Sequence, residues 1–537
     1  FFFDHPDIED ATVLGIPDSI YGEAVCLWVR IRSGAAVMPD DLRDYCNGQI
    51  AHFKVPKYIE IVDEFPMTVT GKIRKVEIRE LMTKRLGLSE PRAMMLDHES
   101  CRIFQEMGIQ QKLDINDARP QAWHRFVGAN RELLMELRVD QDVGGLGYAG
   151  MGTMFHQPTL EKMLREDFEK GVGVDSYLGY EVVEVDGSGD MASLKAKNID
   201  TDEITEFTGE YIVGADGGAS FCRKYIGAKR VDLEYSRRWI VMDVLVHDDE
   251  LWNSLAPRSE FRCRPDAAVV FVKGFHNHVR FDFEVTDEVA ERFTEDDARE
   301  LISEYFDPSS IEFQRRTPYH FYAGMPDTWR KGRVFIAGDA AHQTSPFLGQ
   351  GLNMGIRDAA NLAFKFDLVF RGLVDDSFLD TYQEERWENC KRVIMGATAN
   401  GLMISTGTLS GRFKRALTFF IGRNFPKLTS AMAAKRGSMT SYASGLIGDH
   451  GLAGGRMIQP FVETHDGTRA LMDDVIGSGF VLLQKQAAKS EDISWFEDVL
   501  EGKSFVVGED FKDADGKLTA FFAEHDADAI LIRPDRY

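Results

Sequence analysis

Two places where an apolar run ends in a glycine and an acid, then turns into a helix, constrain this chain more than any other feature. In the stronger one, Arg333-Val334-Phe335-Ile336-Ala337 is an apolar strand that ends at Gly338-Asp339. The stretch Ser345-Pro346-Phe347-Leu348-Gly349-Gln350-Gly351-Leu352-Asn353 then opens a long helix. Apolar residues recur at helical spacing across residues 356–370 (Ile356, Ala360, Ala363, Leu368), which predicts one core-facing stripe. An acid at a strand tip can accept hydrogen bonds from sugar or polyol hydroxyls. Glycines ahead of a helix let its positive end approach a phosphate or a polarised ring with no Cβ in the way. In the weaker one, strands expected at 180–185, 192–196 and 210–213 lead into Gly214-Ala215-Asp216-Gly217-Gly218 and a short helix over 220–225. A glycine turn between strand and helix leaves backbone N–H groups pointing outward. One Asp-Gly turn says little. Two such turns in this order favour a ligand site over a plain strand-turn-helix core.

Other features narrow the class. Acids outnumber bases 87 to 63, giving a net charge of −24. That excess opposes general phosphate-backbone binding, so no nucleic-acid partner is expected. The most apolar stretch, residues 416–434, is broken by Arg423, Asn424, Pro426 and Lys427, so neither a span nor a membrane partner is expected. Six cysteines (Cys26, Cys46, Cys101, Cys222, Cys263, Cys390) show no metal-ligand spacing. They fit packing roles, no metal site, and a reducing cytoplasmic setting. The literal GxGxxG at Gly145-Leu146-Gly147-Tyr148-Ala149-Gly150 follows no buried strand and opens no amphipathic helix, so it is expected to be a loop. At roughly 150 residues per domain the 537 residues suggest three or four domains. Three segments differ in character: 1–88, 91–456 and 457–537.

The middle and last segments resemble the single-component FAD-dependent aromatic hydroxylases, the class similar to p-hydroxybenzoate, phenol and 3-(3-hydroxyphenyl)propionate hydroxylases. The resemblance is carried by Pro91-Arg92-Ala93, Asp97-His98-Glu99, His156-Gln157-Pro158-Thr159-Leu160-Glu161, both glycine-acid turns, and Arg357-Asp358-Ala359-Ala360-Asn361-Leu362. It implies that Arg92 and Gln157 contact the FAD pyrophosphate and ribityl region, and that Asp216 with Gly217 serves FAD and the NAD(P)H approach. It also implies that Gly338 and Asp339 hold the ribityl chain. Gly351, Leu352 and Asn353 would then offer backbone groups to the isoalloxazine edge, with Pro346 and Gly349 also implied in binding the cofactor. The implied reaction is hydroxylation of a small phenolic substrate with dioxygen through a flavin hydroperoxide. Asp97 is the implied catalytic acid-base group; its alternative reading is an N-cap for a helix over 100–107. His342 reads as packing. The family opens with a strand-GxGxxG-helix unit for the pyrophosphate, and residues 58–89 carry no such turn.

The first segment resembles the C-terminal subdomain of adenylate-forming acyl-CoA synthetases through Gly15-Ile16-Pro17-Asp18, Tyr21-Gly22-Glu23, Phe53-Lys54-Val55-Pro56 and Pro66-Met67-Thr68-Val69-Thr70-Gly71-Lys72. Lys72 is then the catalytic lid lysine, expected to be idle because no ATP-binding domain accompanies it. The last segment resembles the thioredoxin-like C-terminal domain of the hydroxylases; lacking cysteine, it is expected to be structural or to form a homodimer. The fold class is thus α/β and α+β multidomain: a truncated FAD-binding hydroxylase fold with a mixed substrate-domain sheet, between a small α+β lid-like domain and a thioredoxin-like one. The competing reading is a catalytically empty fusion of two truncated proteins, or a remnant of an acyl-CoA synthetase.

Overall fold

A computed structural model describes residues 1–18, 22–32, 34–35, 37–46, 49–50, 54–67, 73–75, 78–79, 81–82, 93–113, 117–142, 145–264, 267–406, 408–425, 441–448, 454–487 and 490–537. The chain divides into two compact units. The first contains Phe1–Arg92, His156–Glu181 and Ala196–Thr205, and the second the remainder. Lys72, Arg92 and the 88–91 junction lie outside the described residues.

The first unit is built on a long hairpin. Ile8–Asp18 pairs antiparallel with Gly22–Ile31, and Tyr58–Ile61 adds in parallel on the other side of Gly22–Ile31. The middle strand is therefore hydrogen-bonded along both edges, and its two faces enter different cores. Leu27 and Val29 join one core with Ile8, Leu42 and Ile59, while Cys26 and Trp28 join another with Ile16 and Phe65. Alternate side chains point to opposite faces of a strand. A strand buried on both faces therefore reads as a continuous apolar run, as Val25-Cys26-Leu27-Trp28-Val29 does. Helix Pro39–Cys46 contributes Leu42 and Cys46. In the same unit Pro158 sits in the first turn of helix Gln157–Glu169, where its missing N–H costs nothing.

The second unit holds a seven-stranded mixed sheet. Its order is Ile311–Pro326, Arg230–Val246, His278–Val285, Val269–Lys273, Ser259–Arg262, Trp123–Val127, Leu133–Arg138, and the Ser259–Arg262 and Trp123–Val127 strands run parallel. A smaller sheet joins Ile212–Gly214, Val334–Ile336 and Arg330–Lys331. Val334, Phe335 and Ile336 are all buried against Met354 and Leu362 of helix Gln350–Phe370 and against Tyr382, Val393 and Ile394 of helix Thr381–Ile404. The C-terminal part has its own core and a sheet in which Val481–Gln484 lies between Lys503–Val506 and Ala529–Ile532. All six cysteines are free and buried.

The expected stripe on helix Gln350–Phe370 is corrected by the structure. Leu368 is buried, but Ala363 is exposed and Ile356 and Ala360 are only partly covered. The buried face instead carries Asn353, Met354, Arg357, Asp358, Asn361, Leu362 and Lys365. Charged residues can occupy it because other elements supply their partners.

Candidate functional site

Ile212–Gly214 and Val334–Ile336 are parallel neighbours, with Gly214 opposite Ile336. The two glycine-acid turns therefore leave the sheet side by side at its carboxyl edge, where open parallel sheets bind ligands. Ala337 N–H donates to Gly214 O at 3.1 Å. Arg223 joins the turns again, donating to Ala340 O at 2.9 Å and Gly218 O at 2.5 Å.

The two acids differ in what they have left to offer. Asp216 accepts from Ser220 Oγ at 2.5 Å, Phe221 N at 2.6 Å and Cys222 N at 3.0 Å, so its carboxylate ties down the start of helix Phe221–Ile226. Burial would raise its pKa; the Ser220 hydroxyl and the backbone N–H groups outweigh that and lower it. Gly217 supplies the turn between Asp216 and that helix. Asp339 lies exposed in the single turn Gly338–Ala340, and its carboxylate has no hydrogen-bond partner among the described residues. Gly338 has φ +60, and a Cβ on Gly355 would lie 3.4 Å from its Cα. Glycine at both positions thus lets the long helix press against the turn.

That helix begins without a side-chain cap. Gly349, at φ +60, is its N-cap, so the N–H groups of Gln350, Gly351 and Leu352 open it with no side chain bound to them. These amides carry the positive end of a 21-residue helix. Pro346 starts the preceding turn, Pro346–Leu348. Phe347 there packs edge-on against Trp239 at 5.3 Å and Tyr235 at 6.1 Å. Asn353 is fully buried; its Nδ2 donates to Gly349 O at 2.6 Å and Met95 O at 3.1 Å, and its Oδ1 accepts from Asp97 N at 2.9 Å.

Asp97 is the N-cap of helix His98–Glu106, accepting from Ser100 N at 2.9 Å. The expected helix therefore starts two residues early, with the cap geometry in place. Arg357 donates to Asp97 Oδ2 at 2.5 Å and to Gln350 Oε1 at 2.9 Å. Burial would raise the Asp97 pKa, but Arg357 and the Ser100 N–H hold it at about 2. Gln157 opens helix Gln157–Glu169 in the first unit and donates to Glu161 Oε1 at 2.6 Å.

The family model described as FAD binding domain matches residues 80–397. The chain belongs to the FAD-binding family of flavin-dependent aromatic hydroxylases. A 3-(3-hydroxy-phenyl)propionate/3-hydroxycinnamic acid hydroxylase of Burkholderia cenocepacia (strain HI2424) is 29% identical, over 83% of this chain and 86% of its own. A probable NADH-specific resorcinol 4-hydroxylase of Rhodococcus jostii (strain RHA1) is 29% identical over 86% and 87%. Among solved structures, aklavinone-11 hydroxylase with FAD and aklavinone has a TM-score of 0.70 at 21% identity, covering 84% of this chain and 88% of that one. Residues 1–72 match the AMP-binding enzyme C-terminal domain, and residues 454–500 the HcaD C-terminal domain.

For this flavin-binding chain, the donor set can be tested against the cofactor's parts. The unpartnered Asp339 and the uncapped Gln350–Leu352 amides suit polyol hydroxyls and an electron-rich ring edge. For the pyrophosphate, the described residues offer no GxGxxG turn that follows a strand and opens a helix. The Gly145–Gly150 stretch is a loop, as expected: Gly145 O accepts from Gln459 N at 2.7 Å, and a Cβ on Gly147 would lie 2.7 Å from Leu471 Cδ2. It is packed against the C-terminal part of the chain.

Sequence reasoning missed the residues beneath the site. Asp358, fully buried, accepts from His342 Nε2 at 2.7 Å and Gly338 N at 2.9 Å through Oδ2, and from Arg386 Nε at 2.9 Å through Oδ1. Arg386 also donates to Met354 O at 3.1 Å and Cys390 Sγ at 3.3 Å. His342, Asp358 and Cys390 bring one donor atom each within 4.8 Å of the others. The Arg386 guanidinium already bonds both the carboxylate and the sulfur, so this cluster works as an ion-pair network. A second buried network, Lys365–Glu385–Arg533–Asp535, ties both long helices to the last strand's end. The signal available in sequence was the charge placed on a helix otherwise too apolar to face water.

Proposed function

We propose that this chain hydroxylates a small phenolic compound using FAD, NAD(P)H and dioxygen. The observation that carries the reading is the pairing of an unpartnered Asp339 at a parallel strand end with an uncapped helix start at Gln350–Leu352. Bound and reduced by NAD(P)H, the flavin supplies the oxygen-activating chemistry. The protein's own groups do the rest. Asp339 would accept from the ribityl hydroxyls, and the Gln350, Gly351 and Leu352 amides would stabilise negative charge at the ring edge. Phe347, Tyr235 and Trp239 form an apolar aromatic wall that excludes water. Asp216 and Gly217 would border the cofactor at the neighbouring strand end, and the family resemblance implies Arg92 and Gln157 for its pyrophosphate. Asp97, held as a carboxylate by Arg357, positions Gln350 and the helix start; a group with a pKa of about 2 is a poor proton acceptor near neutral pH. The domains run 1–88, 91–456 and 457–537, the last thioredoxin-like and structural.

No GxGxxG cradle for the pyrophosphate stands among the described residues, so weak FAD binding is expected. Charge-assisted hydrogen bonds each contribute roughly 1.5–3 kcal/mol. Two missing bonds weaken binding by about two to four decades, at roughly 1.4 kcal/mol per decade. The purified chain should therefore be nearly colourless and bind added FAD at micromolar or weaker levels, and Asp339→Ala should abolish that binding. With FAD in excess, NAD(P)H oxidation should yield hydroxylated product from 3-(3-hydroxyphenyl)propanoate or resorcinol. The same missing cradle favours a second reading, an inert fusion. FAD binding with no product from any phenol tested would establish it.

A further inference from the structure

Helix Leu409–Asn424 carries an apolar ridge on its outer side that no described residue covers. Leu409 is 83% exposed, Phe413 71%, Leu417 48% and Phe420 60%. At 3.6 residues per turn these four fall within about 80° of arc. The opposite side of the helix is anchored: Phe419 is buried against Phe126 at 5.1 Å, and buried Arg415 donates to Ile404 O at 3.0 Å. The ridge therefore cannot turn inward without unpacking the core beneath it.

Charge makes the face specific. Arg412, Lys414 and Arg423 lie about 80–100° to either side of Phe413, at the flanks of the ridge. All three are exposed, and none forms an ion pair among the described residues. Residues 389–448 contain nine Lys or Arg and no Asp or Glu, in a chain whose net charge is −24. In a strongly acidic protein, three exposed cations, Arg412, Lys414 and Arg423, thus flank a line of exposed phenylalanine and leucine with no ion pair among the described residues. Long cationic side chains beside an apolar ridge can keep their charge at headgroup level while the ridge enters the acyl boundary.

We propose that this helix docks on an anionic lipid surface, lying in the membrane plane. No helix of the described residues is long and apolar enough to cross a membrane, and lying in the plane requires none. The expectation of no membrane partner rested on the lack of a span, which does not bear on this mode.

The test is co-sedimentation of the full chain with vesicles of phosphatidylcholine alone and of phosphatidylcholine mixed with phosphatidylglycerol. The chain should partition onto the anionic vesicles and lose binding at high salt. Phe413→Ser with Phe420→Ser, and separately Arg412→Glu with Lys414→Glu, should each lower the partition coefficient by about tenfold or more. Because these side chains are exposed, both variants should keep the native circular dichroism and melting temperature. Phe413→Trp gives an independent readout, a blue-shifted emission on anionic vesicles only. No partition onto anionic vesicles, or equal partition of native and variant chains, overturns the proposal. So does loss of a dimer in the phenylalanine variant, by sedimentation velocity, without any vesicle binding in the native chain; that result would make the ridge a self-interface.

Discussion

Replacing Asp358 with Asn removes a buried charge that three donors share. The carboxylate accepts from His342, Gly338 N–H and Arg386, and is fully buried. Asn keeps a single acceptor oxygen. Turned towards Gly338 and His342, it aims its NH2 group at Arg386; flipped, it aims that group at the Gly338 N–H. In either orientation a buried cation loses its counter-ion, which costs about 3–5 kcal/mol. His342 can relieve part of this by giving up its proton, so the expected loss is about 3 kcal/mol. Burial alone would lower the His342 pKa, but Cys390 and Asp358 outweigh it and push it up to about 10. With a folded pKa above the ordinary 6.5, the stability from this pair is complete below pH 6.5 and lost as pH rises through 10. Hydrogen exchange on peptides covering residues 334–342 measures the local opening free energy directly. Asp358→Asn should lower it by about 3 kcal/mol at neutral pH and flatten its decline above pH 6.5. A double-mutant cycle with His342→Gln should show coupling above about 1 kcal/mol. A loss under about 1 kcal/mol, or an unchanged pH profile, would refute the claim that this carboxylate locks the turn to the helices.

Asp97→Ala removes both a helix cap and the counter-ion of Arg357, so it should destabilise by about 3 kcal/mol, beyond the ~1 kcal/mol of a cap alone. Because its folded pKa is depressed to about 2, the native contribution is present above pH 3.8 and fades as pH falls through 2; acid titration of the melting temperature in native and variant chains checks this. The 537-residue chain should show no acid-dependent pyrophosphate–ATP exchange, since only residues 1–72 match an adenylate-forming enzyme; exchange above background would make Lys72 an active residue.

Much of the site was legible because its parts are local. Gly338-Asp339 after an apolar run, and Gly349 before a helical one, are backbone instructions written within a few residues. The short-range sterics of glycine make such instructions readable without tertiary context. The cap at Asp97 was legible for the same reason, as an acid three residues ahead of the Ser100 N–H it binds. The Gly145–Gly150 stretch was legible by what it lacked on either side. Strand lengths in the first unit were less so: the hairpin Ile8–Asp18/Gly22–Ile31 continues through polar positions because its backbone pairs, whatever the side chains are.

The sequence by itself determined the family, the two strand-end acids and the uncapped start of the long helix, since each is encoded by neighbouring residues and by glycine's freedom at φ +60. Only the tertiary structure decided which acid is available: Asp216 spends its oxygens on Ser220, Phe221 and Cys222, while Asp339 keeps both. It also decided that Arg357, Asp358 and Lys365 face inward where a hydropathy stripe placed Ile356, Ala360 and Ala363. A buried charge is tolerated only where distant residues pair with it, and Asp97, Arg386 and Glu385 are brought to that helix by the fold.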